Sequence, residues 1–131
     1  MNKAIRVAAI VAVSLFLLVL AVVSVLGILD PHKASIGFGM PTSDAAGNLF
    51  YRVFASRNLA LVATGITFLL ARFWLPLAIL VTFTTPLAVS DMTLLLQSGN
   101  SPPGFHVIAL LLLVASAVLL WARVLMNRPR A

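Results

Sequence analysis

The sequence predicts an all-α integral membrane protein, a four-helix transmembrane bundle forming one domain over residues 1–131, and three observations carry that prediction. The chain is 62% hydrophobic and 9% charged over its 131 residues, whereas soluble domains are roughly 25% charged and about 45–50% apolar. Its mean hydropathy is +1.12, too high for a surface facing water. Its apolar residues fall into four runs separated by segments rich in Gly, Pro, Asn and charge, each run close to the ~20 residues that cross a hydrocarbon core.

The first helix is expected over about residues 5–29, after the basic start Lys3 and Arg6. A secretory signal has a hydrophobic stretch of roughly 7–15 residues. This run is much longer, so an uncleaved spanning helix is expected. Gly27 and Asp30-Pro31 supply its stop. Residues 31–48, PHKASIGFGMPTSDAAGN, make the one substantial loop, whose composition speaks against a continuous helix. Ile36, Phe38 and Met40 within it suggest that it folds back onto the bundle.

The second helix is expected over about 49–71, with Arg52, Ser56, Arg57 and Asn58 ahead of its apolar stretch. A tight connection at Arg72 to Trp74 leads to the third helix, about 75–96. Pro76 sits in its first turn, where a missing N–H does no harm. Pro86 lies in its middle and favours a kink, with Thr82, Thr84 and Thr85 nearby to satisfy the backbone in lipid. The turn QSGNSPPG precedes the fourth helix, about 105–126, closed by Asn127-Arg128-Pro129.

Orientation follows from the basic residues. Lys3, Arg6, Arg72, Arg123, Arg128 and Arg130 fall on one side and Lys33, Arg52 and Arg57 on the other. An excess of Lys and Arg marks the cytoplasmic side, so both termini are expected there, in a bacterial inner membrane. The net charge of +6 is spread over helix ends, and no nucleic-acid partner is expected. The absence of cysteine excludes disulfides, zinc–thiolate sites, iron–sulfur clusters and thiol nucleophiles. No phosphate loop, dinucleotide fingerprint or Ser-His-Asp pattern occurs. His32 and His106, with Asp30 and Asp91, lack metal-ligand spacing, so neither a metal nor a cofactor is expected.

Charge within a membrane helix costs about 2.5–3.5 kcal/mol on insertion scales and by default marks function. Arg57 lies about 12 Å into the second helix at 1.5 Å per residue, and Asp91 about 8 Å from the same end of the third. Neighbouring antiparallel helices would bring the two together, each offsetting the other's desolvation. Thr64 and Thr84 follow at heptad spacing from Arg57 and Asp91 and extend the site along the same faces. Tyr51 opens the second helix and His106 the fourth. Tyr51, Arg52, Arg57, Asn58, Asp91 and His106 are thus expected on one outer rim beneath loop 31–48, with the first helix as a wall.

Two readings of this cluster stand side by side. In one, Asp91 or His106 is a general acid or base and Arg57 an electrostatic clamp, with Tyr51, Arg52, Asn58, Thr64 and Thr84 binding the ligand. In the other, Arg57 and Asp91 form an ion pair that sets helix register. Trp74, Trp121 and Arg123 read as ordinary interfacial anchors.

The stretches YRVFASRNLALVATGITFLL, PLAVSDMTLLLQSGN and PGFHVIALLLLVASAVLL resemble a bacterial and fungal family of small four-helix membrane proteins known as domain of unknown function family 4267, broadly similar to DoxX-like proteins. The resemblance runs from about Gly37 onward. It rests most specifically on Arg57 to Ala60, Asp91 and His106; Asn58 stands where the family more often has Asp. It implies the architecture and the choice of residues, and no settled activity. The expected function is binding or acid–base transformation of a small lipophilic molecule. The alternative is a structural or accessory subunit of a larger membrane complex. Expected partners are membrane lipids, a lipophilic small molecule, and a homo-oligomer or membrane complex.

Overall fold

The computed structural model describes residues 3–100 and 103–126. The stop at Asn127-Arg128-Pro129, and Arg128 and Arg130 of the orientation count, lie outside the described residues. Among those described, the backbone forms five helices and no strand: α1 (Lys3–Leu29), α2 (Pro31–Phe38), α3 (Ala45–Leu70), α4 (Trp74–Gln97) and α5 (Gly104–Met126). All but α2 are long and apolar enough to cross a membrane. They present large apolar side chains outward as well as inward, among them Leu26, Phe83, Leu87, Leu111 and Val118. Such a surface would drive aggregation in water and suits a helix whose solvent is lipid. The protein is a multi-pass, all-α membrane bundle.

Helix boundaries follow from capping. Asp30 accepts the Lys33 N–H at 3.1 Å and Pro31 occupies the first turn of α2, so the first half of the expected loop is helical. The loop's glycine and proline content stops this helix early without preventing it. Asp44 likewise accepts the Gly47 N–H at 2.6 Å, starting α3 a full turn before Leu49.

Three helices end in the same motif, with paired N–H bonds reaching back three and five residues. After α2, Gly39 bonds Ile36 and Met40 bonds Ser35. After α4, Gly99 bonds Leu96 and Asn100 bonds Leu95. Both glycines take the positive φ that the motif demands. After α3, Arg72 bonds Leu69 and Phe73 bonds Phe68, and here the left-handed residue is Arg72, at φ 58.

In lipid, helices associate through close packing more than through the hydrophobic effect, and small residues decide who meets whom. α1 packs along both α3 and α5, α5 along α4, and α3 meets α4 only sparsely. The order around the bundle is therefore α3, α1, α5, α4, and the helix expected to be a wall stands between two neighbours. Gly27, a stop signal by sequence, lies inside α1 at its crossing with α3. A methyl group there would sit 2.8 Å from the Ala55 Cβ. Further along the same crossing, Gly65 faces Leu17 as closely. The apolar core of Val13, Phe16, Leu17, Leu77, Ala78, Val81, Leu113 and Leu120 joins α1, α4 and α5, toward the termini. The opposite end is closed by α2.

Candidate functional site

α2 is clamped onto the bundle by side chains from several elements. Its Ser35, fully buried, donates from Oγ to the His32 carbonyl at 2.7 Å, accepts the Thr42 N–H at 2.9 Å and meets the Thr42 hydroxyl at 3.1 Å. Thr42 donates in turn to the Asn48 side-chain oxygen at 2.7 Å, and the His32 ring Nδ1 bonds the Thr42 carbonyl. A carbonyl only accepts, so His32 carries its proton on Nδ1 in this contact. The segment after α2 is thereby folded back by hydrogen bonds, where the sequence suggested apolar tucking by Ile36, Phe38 and Met40. Ile36 and Met40 are in fact exposed.

Phe38 is the apolar pin of this end. Its ring meets Tyr51, Phe54 and His106 edge-on, at centroid distances of 6.1, 5.7 and 4.6 Å. The Tyr51 hydroxyl donates to the Ala34 carbonyl at 3.3 Å. His106 Nε2 lies 3.0 Å from the Phe38 carbonyl, which assigns the proton to Nε2 by the same argument. The His106 ring also stacks on Phe105 at 4.2 Å. Asp91 is half-buried on α4. Tyr51 and His106 thus both meet Phe38 and the last turn of α2, while Asp91 stands on α4 toward the same end.

The remaining residues singled out by sequence are placed elsewhere. Arg57 is exposed and lines a shallow groove with Phe50, Val53 and Phe54. Equal depth on two helices brings side chains together only where the helices pack, and α3 and α4 scarcely do. Arg52 is exposed and Asn58 half-buried on α3. Thr64 and Thr84 donate to the carbonyls of Ala60 and Leu80 in their own helices, at 2.9 and 2.8 Å, the common use of a hydroxyl in an apolar helix. Thr82 and Thr85 do the same. Among the described residues no group of three or more His, Asp or Glu side chains is disposed to hold a metal ion.

A cavity of about 420 Å³ opens beside α2, lined by Val23 and Leu26 of α1, by Asp30, Lys33, Ala34 and Gly37, and by Phe105 of α5. Apart from Asp30 and Lys33 its walls are apolar. Nothing in the sequence points to this cavity or to Ser35 and Thr42, whereas Phe38 tucks in as its place among the glycines suggests. The capping pair Asp30-Pro31, with Gly39 to end the helix, was the signal for α2 that the composition of the whole segment concealed.

No curated protein matches the chain. No solved structure matches it either. A family match covers residues 8–120, taking in α3, α4, most of α1 and α5, and the whole of the α2 end. The chain belongs to the family described as Domain of unknown function (DUF4267).

Proposed function

We propose that the protein binds a small lipophilic molecule in the cavity between α1, α2 and Phe105, with both termini cytoplasmic and this mouth on the far side of a bacterial inner membrane. The observation that carries the reading is the cavity itself. Its volume of about 420 Å³ falls within the roughly 300–1,000 Å³ of small-molecule sites, and its walls are apolar except for two charges on α2. An amphiphile entering from the bilayer would bury its apolar body against Val23, Leu26 and Phe105 and leave its polar group beside Asp30 and Lys33. His106 and Tyr51 hold the carbonyls of α2, and so fix one wall. The acid–base form of this reading assigns proton transfer to Asp91 and His106; neither lines the cavity, and His106 stacks on Phe105, which does. Arg57, on its separate groove, has no part in it.

Gly37 provides the test, because it lines the cavity and a Cβ added there meets nothing within 4 Å. Gly37→Phe should fill the cavity and leave the fold intact. The purified wild-type protein is expected to carry a lipophilic molecule, extractable into organic solvent and visible by mass spectrometry, which the variant loses at an unchanged melting temperature. An identical extract from both proteins sinks the reading. Stoichiometric purification with a larger membrane complex and an empty cavity would favour the accessory-subunit role instead.

A further inference from the structure

Three arginines from three separate segments stand at the end of the bundle opposite α2: Arg6 of α1, Arg72 of the turn between α3 and α4, and Arg123 of α5. Arg123 is only 5% exposed. Its guanidinium lies 3.5 Å from the centroid of the Trp74 ring, and its Nη1 donates to the Arg6 carbonyl at 3.3 Å. Its Nε is buried with no partner among the described residues. Trp74, on which Arg123 stacks, follows Arg72 by two residues. The chain has three acidic residues in all, Asp30, Asp44 and Asp91, and every one belongs to the other end of the bundle. Arg123 is buried while Arg6 and Arg72 are exposed, and no side-chain carboxylate is at hand at this end to offset their charges.

The backbone adds an independent observation. Of the three helix ends built on the same left-handed motif, two use glycine. The third places Arg72 at φ 58, where a Cβ is disfavoured. A residue held in a sparsely populated conformation points to a role for its side chain, and here the side chain is a cation at the end that also holds Arg6 and Arg123.

We propose that Arg6, Arg72 and Arg123 form a binding site for a phosphate-bearing anion, supplied by an anionic phospholipid of the leaflet on the side of the termini. Planar guanidinium groups match phosphate oxygens in paired hydrogen bonds. The cytoplasmic leaflet is the anionic one, which agrees with the proposed orientation.

The test uses the full chain in nanodiscs of dioleoylphosphatidylcholine, alone or mixed with dioleoylphosphatidylglycerol. Lipid retained on the protein is counted by native mass spectrometry, and the melting temperature is followed in parallel. The wild type is expected to retain phosphatidylglycerol over phosphatidylcholine and to melt higher in its presence. Arg6→Gln and Arg72→Gln should each weaken the preference about tenfold, the loss of a charge-assisted hydrogen bond. Lys3→Gln, which removes a charge from the same end but not from the trio, should leave it unchanged. Arg72→Gly relieves the left-handed backbone, so it should melt no lower in pure phosphatidylcholine and still lose the preference, separating binding from misfolding. Inorganic phosphate, compared with chloride at equal ionic strength in pure phosphatidylcholine discs, distinguishes the sources: the same rise in melting temperature identifies free phosphate, and none identifies the lipid. The proposal is overturned if neither phosphatidylglycerol nor phosphate is preferred, or if Lys3→Gln costs as much as Arg72→Gln.

Discussion

Three glycines of one chain illustrate how local surroundings set the cost of a single methyl group. At Gly27 an added Cβ would lie 2.8 Å from the Ala55 Cβ and 3.0 Å from the Tyr51 ring. Neither neighbour has a flexible end to move aside, so α1 and α3 must separate. At Gly65 the nearest atom, 2.7 Å away, is a terminal methyl of Leu17, which escapes by changing rotamer. At Gly37 nothing lies within 4 Å. Gly27→Ala should therefore cost about 1–3 kcal/mol through overpacking, and Gly65→Ala less, about 0.5–1.5 kcal/mol for a displaced side chain. Gly37→Ala should stabilise by about 0.5–1 kcal/mol through helix propensity. Reversible unfolding in mixed micelles measures all three, and a cost at Gly65 equal to that at Gly27 would contradict the close crossing near Ala55.

Among the elements, α2 shows how a short helix is held where its own eight residues are too few to be stable alone. It depends on its caps, on Phe38 among its aromatic neighbours, and on the buried Ser35 hydroxyl. Ser35→Ala leaves the Thr42 N–H without its acceptor inside the fold, a loss of about 1–3 kcal/mol. Hydrogen exchange reads this directly. The amides of residues 31–48 should exchange about tenfold faster or more, while those of α1, α4 and α5 keep their protection. Uniform loosening of all helices would mean that α2 is no separate unit. The long helices, by contrast, need only lipid around them and small residues at their crossings.

For the whole molecule, the order α3, α1, α5, α4 puts the N-terminal helix in the middle and leaves a seam between α3 and α4. One end holds all three acids, both histidines and the cavity, and the other holds the arginine trio. This polarity makes orientation the decisive whole-molecule property, and the absence of cysteine makes it simple to measure. Ser43→Cys and Ala71→Cys place unique thiols at exposed positions at opposite ends. In intact cells a membrane-impermeant maleimide should label the first and reach the second only after lysis. The reverse pattern would invert the proposed topology and place the cavity in the cytoplasm.

The sequence by itself determined what depends on composition and local spacing: four apolar spans, their approximate limits, and an end rich in polar residues. These are legible because the solvent of each residue and the rules of capping act within a few residues of chain. Tyr51, Asp91 and His106 were nominated this way, and the fold brings two of them, Tyr51 and His106, to the Phe38 ring. The pairing of Arg57 with Asp91 also rested on depth, but depth is a one-dimensional coordinate. Only the tertiary structure decided which helices are neighbours, because that choice depends on contacts between residues as distant as Gly27 and Ala55, or Phe38 and His106. The same packing decided that the first helix is central, that α2 borders a cavity, and that Arg123 lies between the Arg6 carbonyl and the Trp74 ring. In lipid, where apolar burial no longer distinguishes one helix pairing from another, shape alone makes that selection, and shape is not written in any one segment.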